Sequence, residues 1–129
     1  MVLGPNFKVI NFIQTVDRPR AVAFYRDIVG LHFVADDPFG SVFDQNGTGL
    51  RITQIDGYTP APHPALGWQV SDIYASIAAL AGRGVSFKIY DGFGQDAQGV
   101  WTAPDGAAKI AWFEDPDGNL LSLTQVMAA

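Results

Sequence analysis

At 129 residues the chain is long enough to bury a core of ordinary size without disulfide or metal staples. A hydrophobic fraction of 48% against a charged fraction of 16% excludes a disordered chain, and the absence of cysteine excludes a disulfide framework, a thiol nucleophile and a thiolate metal site. A net charge of -5, with only eight Lys and Arg and those scattered, works against a phosphate backbone, so nucleic acid is not an expected partner.

In chain order, residues 8–16 (KVINFIQTV) are apolar and β-branched enough for a strand. Ile10, Phe12 and Gln14 fall on one face and Val9, Asn11 and Ile13 on the other, and so apolar a stretch predicts burial on both. Asp17 then caps a helix with Pro19 in its first turn, where a missing N–H costs nothing. Ala21, Phe24, Tyr25, Ile28 and Val29 form its apolar stripe, Arg20, Arg26 and Asp27 face water, and Gly30 ends it in the left-handed conformation. Strands are expected at 31–35, 41–44 and 50–55, broken by a loop around Asp36, Asp37, Pro38 and Gly40 and by a turn at 45–47. Residues 56–64 (DGYTPAPHP) are turn formers with no apolar period and read as a connector.

The second half repeats this order. A strand at 66–70 leads to a helix capped by Ser71 or Asp72, with Ile73, Ile77, Leu80 and Ala81 inward and Gly84 at its end. Further strands are expected at 85–90, 107–113 and 120–125, with a glycine-rich loop at 91–99 and a turn at Asp115-Pro-Asp-Gly. Asp17 aligns with Asp72 and Val22 with Ile77, while residues 46–54 (NGTGLRITQ) match 117–125 (DGNLLSLTQ), a turn ending in glycine followed by a strand ending Thr-Gln. Asn-Gly and Asp-Gly both supply the positive φ angles of a tight hairpin. The fold class is therefore α+β, two tandem βαβββ modules of mixed sheet enclosing a cleft: module one at about 6–56, the connector at about 56–64, and module two at about 65–127. Small-molecule sites favour such junctions. The N-terminus lacks the pattern of a signal peptide and no apolar run is long enough to span a bilayer, so a soluble, cytoplasmic protein without a membrane partner is expected.

Two segments carry a family resemblance: residues 17–31 (DRPRAVAFYRDIVGL) and residues 111–123 (AWFEDPDGNLLSL). The chain resembles, over nearly its whole length, the vicinal oxygen chelate superfamily, which includes glyoxalase I, extradiol dioxygenases and bleomycin-resistance proteins. Both motifs are core and turn chemistry, specific for fold rather than activity. The resemblance implies metal ligands near the middle of the first and last strands of each module, and those positions hold Ile10, Arg51, Ala65 and Ser122. A hydrocarbon has no lone pair to donate, a guanidinium is cationic, and a serine hydroxyl is a poor ligand unless deprotonated. No cofactor is predicted on this ground; a divalent metal held by His63, His32, Glu114 and Asp115 is the lesser alternative, since a catalytic zinc needs three converging ligands.

Arg51 has the sharpest functional reading, as a fixed cation for a ligand carboxylate, phosphate or enolate. Its alternative is a structural pair with an acid such as Asp44, or a path outward to water. Gln14, Gln69, Ser122 and Thr124 are neutral groups able to orient a ligand, and Phe12 faces the same way as Gln14. Of the aromatics Phe12, Phe39, Phe43, Tyr90, Phe93, Trp101 and Trp112, most are expected in the core. Phe93 and Trp101 stand apart because they bracket the 91–99 loop, which reads either as a mobile lid with aromatic contacts or as a surface loop anchored by one buried Trp. No Ser-His-Asp or Cys-His constellation and no nucleotide-binding loop is present.

The expected function is metal-free binding of a small molecule, a drug or aromatic metabolite, by a homodimer similar to the drug-sequestering members of that superfamily. The alternative is a glyoxalase-like lyase or isomerase, or a dioxygenase, with a noncanonical metal site.

Overall fold

In the computed structural model, which describes residues 2–127, the chain divides into two units, Met1–Thr59 and Pro60–Ala129. The first holds β1 (Ile10–Thr15), α1 (Arg18–Ala23) continued by a π-helical turn (Phe24–Val29), β2 (His32–Asp37), β3 (Gly40–Gln45) and β4 (Thr48–Gln54). Its sheet order is β1-β4-β3-β2, with β1 parallel to β4 and the other pairs antiparallel. The second holds β5 (Pro64–Gln69), α2 (Ile73–Ala81), β6 (Trp101–Thr102), β7 (Ala108–Glu114) and β8 (Leu120–Val126) in the order β5-β8-β7-β6, again with only its first pair parallel. The parallel pair follows from the helix, which carries the chain back across the sheet before the strands resume. Both units are thus βαβββ modules of mixed sheet. Among the described residues no helix is long and apolar enough to cross a membrane.

The local signals act as the residues dictate. The Asp17 and Asp72 carboxylates each accept a helix N–H at 3.1 Å, from Arg20 and Ala75. Gly30 ends the first helix at φ 84°, and Gly84 at φ 95° closes the second by donating its N–H to Ala81 O while Val85 donates to Leu80 O. The two repeated turns differ, however. Asn46 and Gly47 both take positive φ, as a tight hairpin requires, but in the later turn only Gly118 does. There the Asp115 carboxylate organises the loop instead, accepting N–H bonds from Asp117 and Asn119 at 2.9 Å and the Asn119 side-chain amide at 2.8 Å.

Each sheet buries one face. In the first, Ile13, Phe43, Leu50 and Ile52 pack with Ala21 and Tyr25 of the helical segment, all essentially inaccessible. The opposite face of β1 is open: Ile10 and Phe12 are 57% and 56% exposed, which corrects the expectation of burial on both sides. In the second, Leu66, Ala111, Phe113, Leu121 and Leu123 pack with Ile73, Ile77 and Leu80 of α2, whereas Ala81 lies outside. Of the aromatics expected mostly inside, Phe43 is buried, but Phe39 and Phe93 join Phe12 among the exposed side chains.

The strand expected at 85–90 does not form. Lys88 N–H reaches Trp112 O, but Gln95 folds back to take the neighbouring backbone groups, its Oε1 accepting from Tyr90 N–H at 2.6 Å and its Nε2 donating to Lys88 O at 2.9 Å and Gly99 O at 2.7 Å. A side-chain amide offers one acceptor and two donors, and here it substitutes for a strand partner. The edge of the second sheet passes to the short β6.

Candidate functional site

Strand alternation sets the second unit's open face. Because Ala111 and Phe113 point toward α2, Trp112 and Ile110 must point away, and the register extends both positions across the sheet. One row runs Gly67, Ser122, Trp112; the next runs Gln69, Thr124, Ile110, Trp101. A Cβ at Gly67 would crowd Ser122 Oγ, which would have to rotate away.

Over this face stands a cluster of three rings. Tyr90 meets Trp112 edge-on with centroids 5.9 Å apart, Phe93 meets Trp112 at 6.2 Å and 83°, and Phe93 and Tyr90 are 5.3 Å apart. These separations fall in the attractive range for tilted and edge-to-face pairs. Lys88 Nζ lies 5.9 Å from the Tyr90 centroid and 3.2 Å from Glu114 Oε1, placing a cation and an acid at the cluster's rim. Phe93 remains 51% exposed, so its ring surface is available to a ligand.

The segment that carries Phe93 is held by polar bonds rather than by a buried Trp. Besides Gln95, Asp96 Oδ1 accepts from the Gln98 and Val100 N–H groups and Oδ2 from the Tyr74 hydroxyl of α2 at 2.5 Å. Val100 is the buried anchor at 2% exposure, while Trp101 is only half-buried. Hydrogen bonding to Asp96 raises the Tyr74 phenol above its ordinary pKa.

The first unit brings Phe12, Gln14 and Arg51 to the open face of its own sheet, with Phe12 opposite Arg51 and Gln14 opposite Thr53. The guanidinium is already engaged: Arg51 Nη2 lies 2.7 and 2.8 Å from the two Asp37 carboxylate oxygens. The acid is Asp37, not Asp44, whose carboxylate serves the Gly47 N–H. Asp37 also accepts the Phe39 and Gly40 N–H groups, so the pair ties β4 to the β2–β3 turn. The Arg51 hydrogen bond, then the Phe39 N–H, hold the Asp37 carboxyl below its ordinary value of 3.8, outweighing desolvation. A lowered folded-state pKa means that the pair's stabilisation is complete above the unfolded value and disappears as pH falls through the lower folded one. In Arg51→Gln the Asp37 pKa is expected to rise toward 3.8 in a carboxyl-carbon NMR titration, and an unchanged titration would remove Arg51 as the cause.

These residues do not fit a divalent metal. Of the four positions implied for ligands, Ile10 and Ala65 have no donor atom and Arg51 is a cation bound to Asp37, leaving only the Ser122 hydroxyl. Among the described residues no three or more His, Asp or Glu side chains converge as a metal cluster. Asp115 is committed to its turn, Glu114 pairs with Lys88, and His63 Nδ1 sits 3.3 Å from Pro64 O.

Five of the sequence-derived residues, Gln69, Phe93, Trp101, Ser122 and Thr124, therefore belong to the second unit; four of them share the two open-face rows, and Phe93 joins the ring cluster above. Sequence reasoning passed over Tyr90 and Trp112 as site residues. The alternation Ala111-Trp112-Phe113 carried the signal for Trp112, whereas nothing local marked Tyr90, which Gln95 positions.

The family model for the Glyoxalase/Bleomycin resistance protein/Dioxygenase superfamily matches residues 8–123. Among solved structures, a member of that superfamily from Sphaerobacter thermophilus DSM 20745 is 24% identical with a TM-score of 0.72, covering 92% of this chain and 96% of that one. TnmS3, an antibiotic binding protein from Streptomyces sp. CB03234, is 24% identical with a TM-score of 0.68 over 95% and 97% of the two chains. Lactoylglutathione lyase from Agrobacterium tumefaciens is 17% identical with a TM-score of 0.71 over 95% of each. No curated protein matches the chain.

Proposed function

Because the chain belongs to the glyoxalase/bleomycin resistance protein/dioxygenase superfamily, we propose that it is a metal-independent binding protein for an aromatic small molecule. The observation that carries this reading is the ring cluster of Tyr90, Phe93 and Trp112 above a sheet face bearing Ser122, Thr124 and Gln69. A flat ligand covers the exposed Phe93 ring and the accessible side of Trp112, gaining burial of apolar area together with ring stacking. The hydroxyls of Ser122 and Thr124 orient polar substituents at its edge, each being both donor and acceptor. Likeness in fold to an antibiotic binding protein supports a retention role, in which affinity itself is the activity. The donor set described above supports a metal-independent mode. In this reading the protein works as a cytoplasmic homodimer.

The test is a thermal-shift screen with aromatic acids and polycyclic aromatic antibiotics, followed by quenching of tryptophan fluorescence with any compound that stabilises the protein. Trp112→Ala is expected to weaken such a compound by about tenfold or more, since one ring contact plus its buried area is worth ~1–3 kcal/mol. The proposal fails if Trp112→Ala and Phe93→Ala both leave the affinity unchanged. Stoichiometric zinc, nickel, manganese or iron in the purified protein, with binding lost on chelation, would overturn the metal-independent part.

A further inference from the structure

The first unit contains a cavity on the helix side of its sheet, opposite the face that carries Phe12 and Arg51. Its volume is about 370 Å³, within the range of small-molecule pockets, and it is lined by Arg18, Pro19, Val22, Arg26, Asp36 and Ser41. The spacing explains the lining. Arg18, Val22 and Arg26 follow one another at intervals of four along the helical segment and share a face, while Asp36 and Ser41 come from paired positions of β2 and β3.

The charges in this cavity are unequally committed. Arg26 is tied to Asp27 by two parallel bonds of 2.9 and 3.0 Å, which neutralise both. Arg18 spends one guanidinium N–H on the Asp37 backbone carbonyl at 2.9 Å, a bond that fixes the side chain and leaves its positive charge without a carboxylate among the described residues. Asp36 accepts the hydroxyl of Ser41, a fully buried residue, which orients the carboxylate but does not neutralise it. Among the described residues that line the cavity, one cation and one anion thus remain beside Pro19 and Val22. A simple anion entering here meets Asp36, and a simple cation meets Arg18. A molecule bearing both charges satisfies both.

We propose that this cavity of the first unit binds a small zwitterion, an amine-bearing carboxylic acid whose carboxylate pairs with Arg18 and whose ammonium pairs with Asp36. The guanidinium fork suits a carboxylate, and the methylene chain of such a ligand lies over Pro19 and Val22. This site is separate from the aromatic face and does not depend on it.

The experiment titrates the full-length protein with ω-amino acids from glycine to 6-aminohexanoate, with hexanoate and hexylammonium as single-charge probes, following backbone amide resonances by NMR. The expected result is saturable movement at Val22, Asp36 and Ser41 with at least one ω-amino acid, at a Kd about fivefold or more below that of either single-charge probe. Arg18→Gln is expected to raise that Kd about tenfold, with Arg18→Lys recovering part of the loss. Asp36→Asn keeps an acceptor for Ser41 and is expected to abolish the preference for the zwitterion over hexanoate. Equal binding of hexanoate and the ω-amino acids, no saturable movement with any probe, or an unaffected Arg18→Gln would each overturn the proposal. So would movement confined to the Trp112 indole, which lies in the other unit; failure of the aromatic-ligand reading would leave these amide shifts untouched.

Discussion

Phe113→Ala is expected to lower the stability of the second unit by about 3–5 kcal/mol, the usual cost of emptying a buried aromatic site. Phe113 is wholly inaccessible on β7, an interior strand of its sheet. Its ring centroid lies 6.4 Å from that of Trp68, at 24°, and 5.2 Å from that of Phe87, so its removal deprives two more rings of a packing contact. Neither neighbour can readily fill the space, because Trp68 rises from β5 and Phe87 from the segment before the 91–99 loop. All three tryptophans, Trp68, Trp101 and Trp112, lie within Pro60–Ala129, so urea unfolding followed by their fluorescence reports this unit. Phe113→Leu, closer in volume, is expected to cost only about 1–2 kcal/mol. A loss below about 1 kcal/mol for the alanine variant would mean that Phe113 is not the centre of this core.

Asp115→Ala is expected to cost about 2–4 kcal/mol, nearly as much, although no apolar surface is lost. Asp115 is 5% exposed and Asn119 1%, and the carboxylate satisfies both the Asn119 backbone N–H and its side-chain amide. Alanine removes the acceptor that those buried donors share, which is more costly than never having formed the bonds. Asp115→Asn retains one carbonyl oxygen for the N–H groups of Asp117 and Asn119 and should recover much of the loss. Faster amide hydrogen exchange at Asp117 and Asn119 in the alanine variant would locate the damage at the turn. Unchanged exchange and stability together would show that water replaces the carboxylate there without penalty.

Both residues stand in residues 111–123, one of the two segments that carry the family resemblance, and their contrast shows what kind of information each carried. That Phe113 is inside follows from alternation and a helix partner. That Asp115 rather than Asp117 organises its turn does not, because Asp-Gly fits more than one turn geometry. The Arg51 pair has the same character. Alternation in β4 puts Arg51 on the open face, yet its long side chain can reach several acids, and the β2–β3 turn decides for Asp37 by bringing that carboxylate within 2.7 Å. Gln95 is the clearest departure from local expectation. Residues 85–90 have strand composition, but the strand loses to a side chain from the following loop that supplies the same hydrogen bonds at shorter range.

Two βαβββ units, their helix caps and the glycines that end both helices were legible in the residue order, because each depends on neighbours a few positions apart. The ring cluster of Tyr90, Phe93 and Trp112, the identity of Arg51's partner and the mixed-charge cavity beside Arg18 emerge only in three dimensions. They join residues from separate elements through flexible side chains, and which of several possible partners is met depends on sheet register and loop path rather than on local spacing.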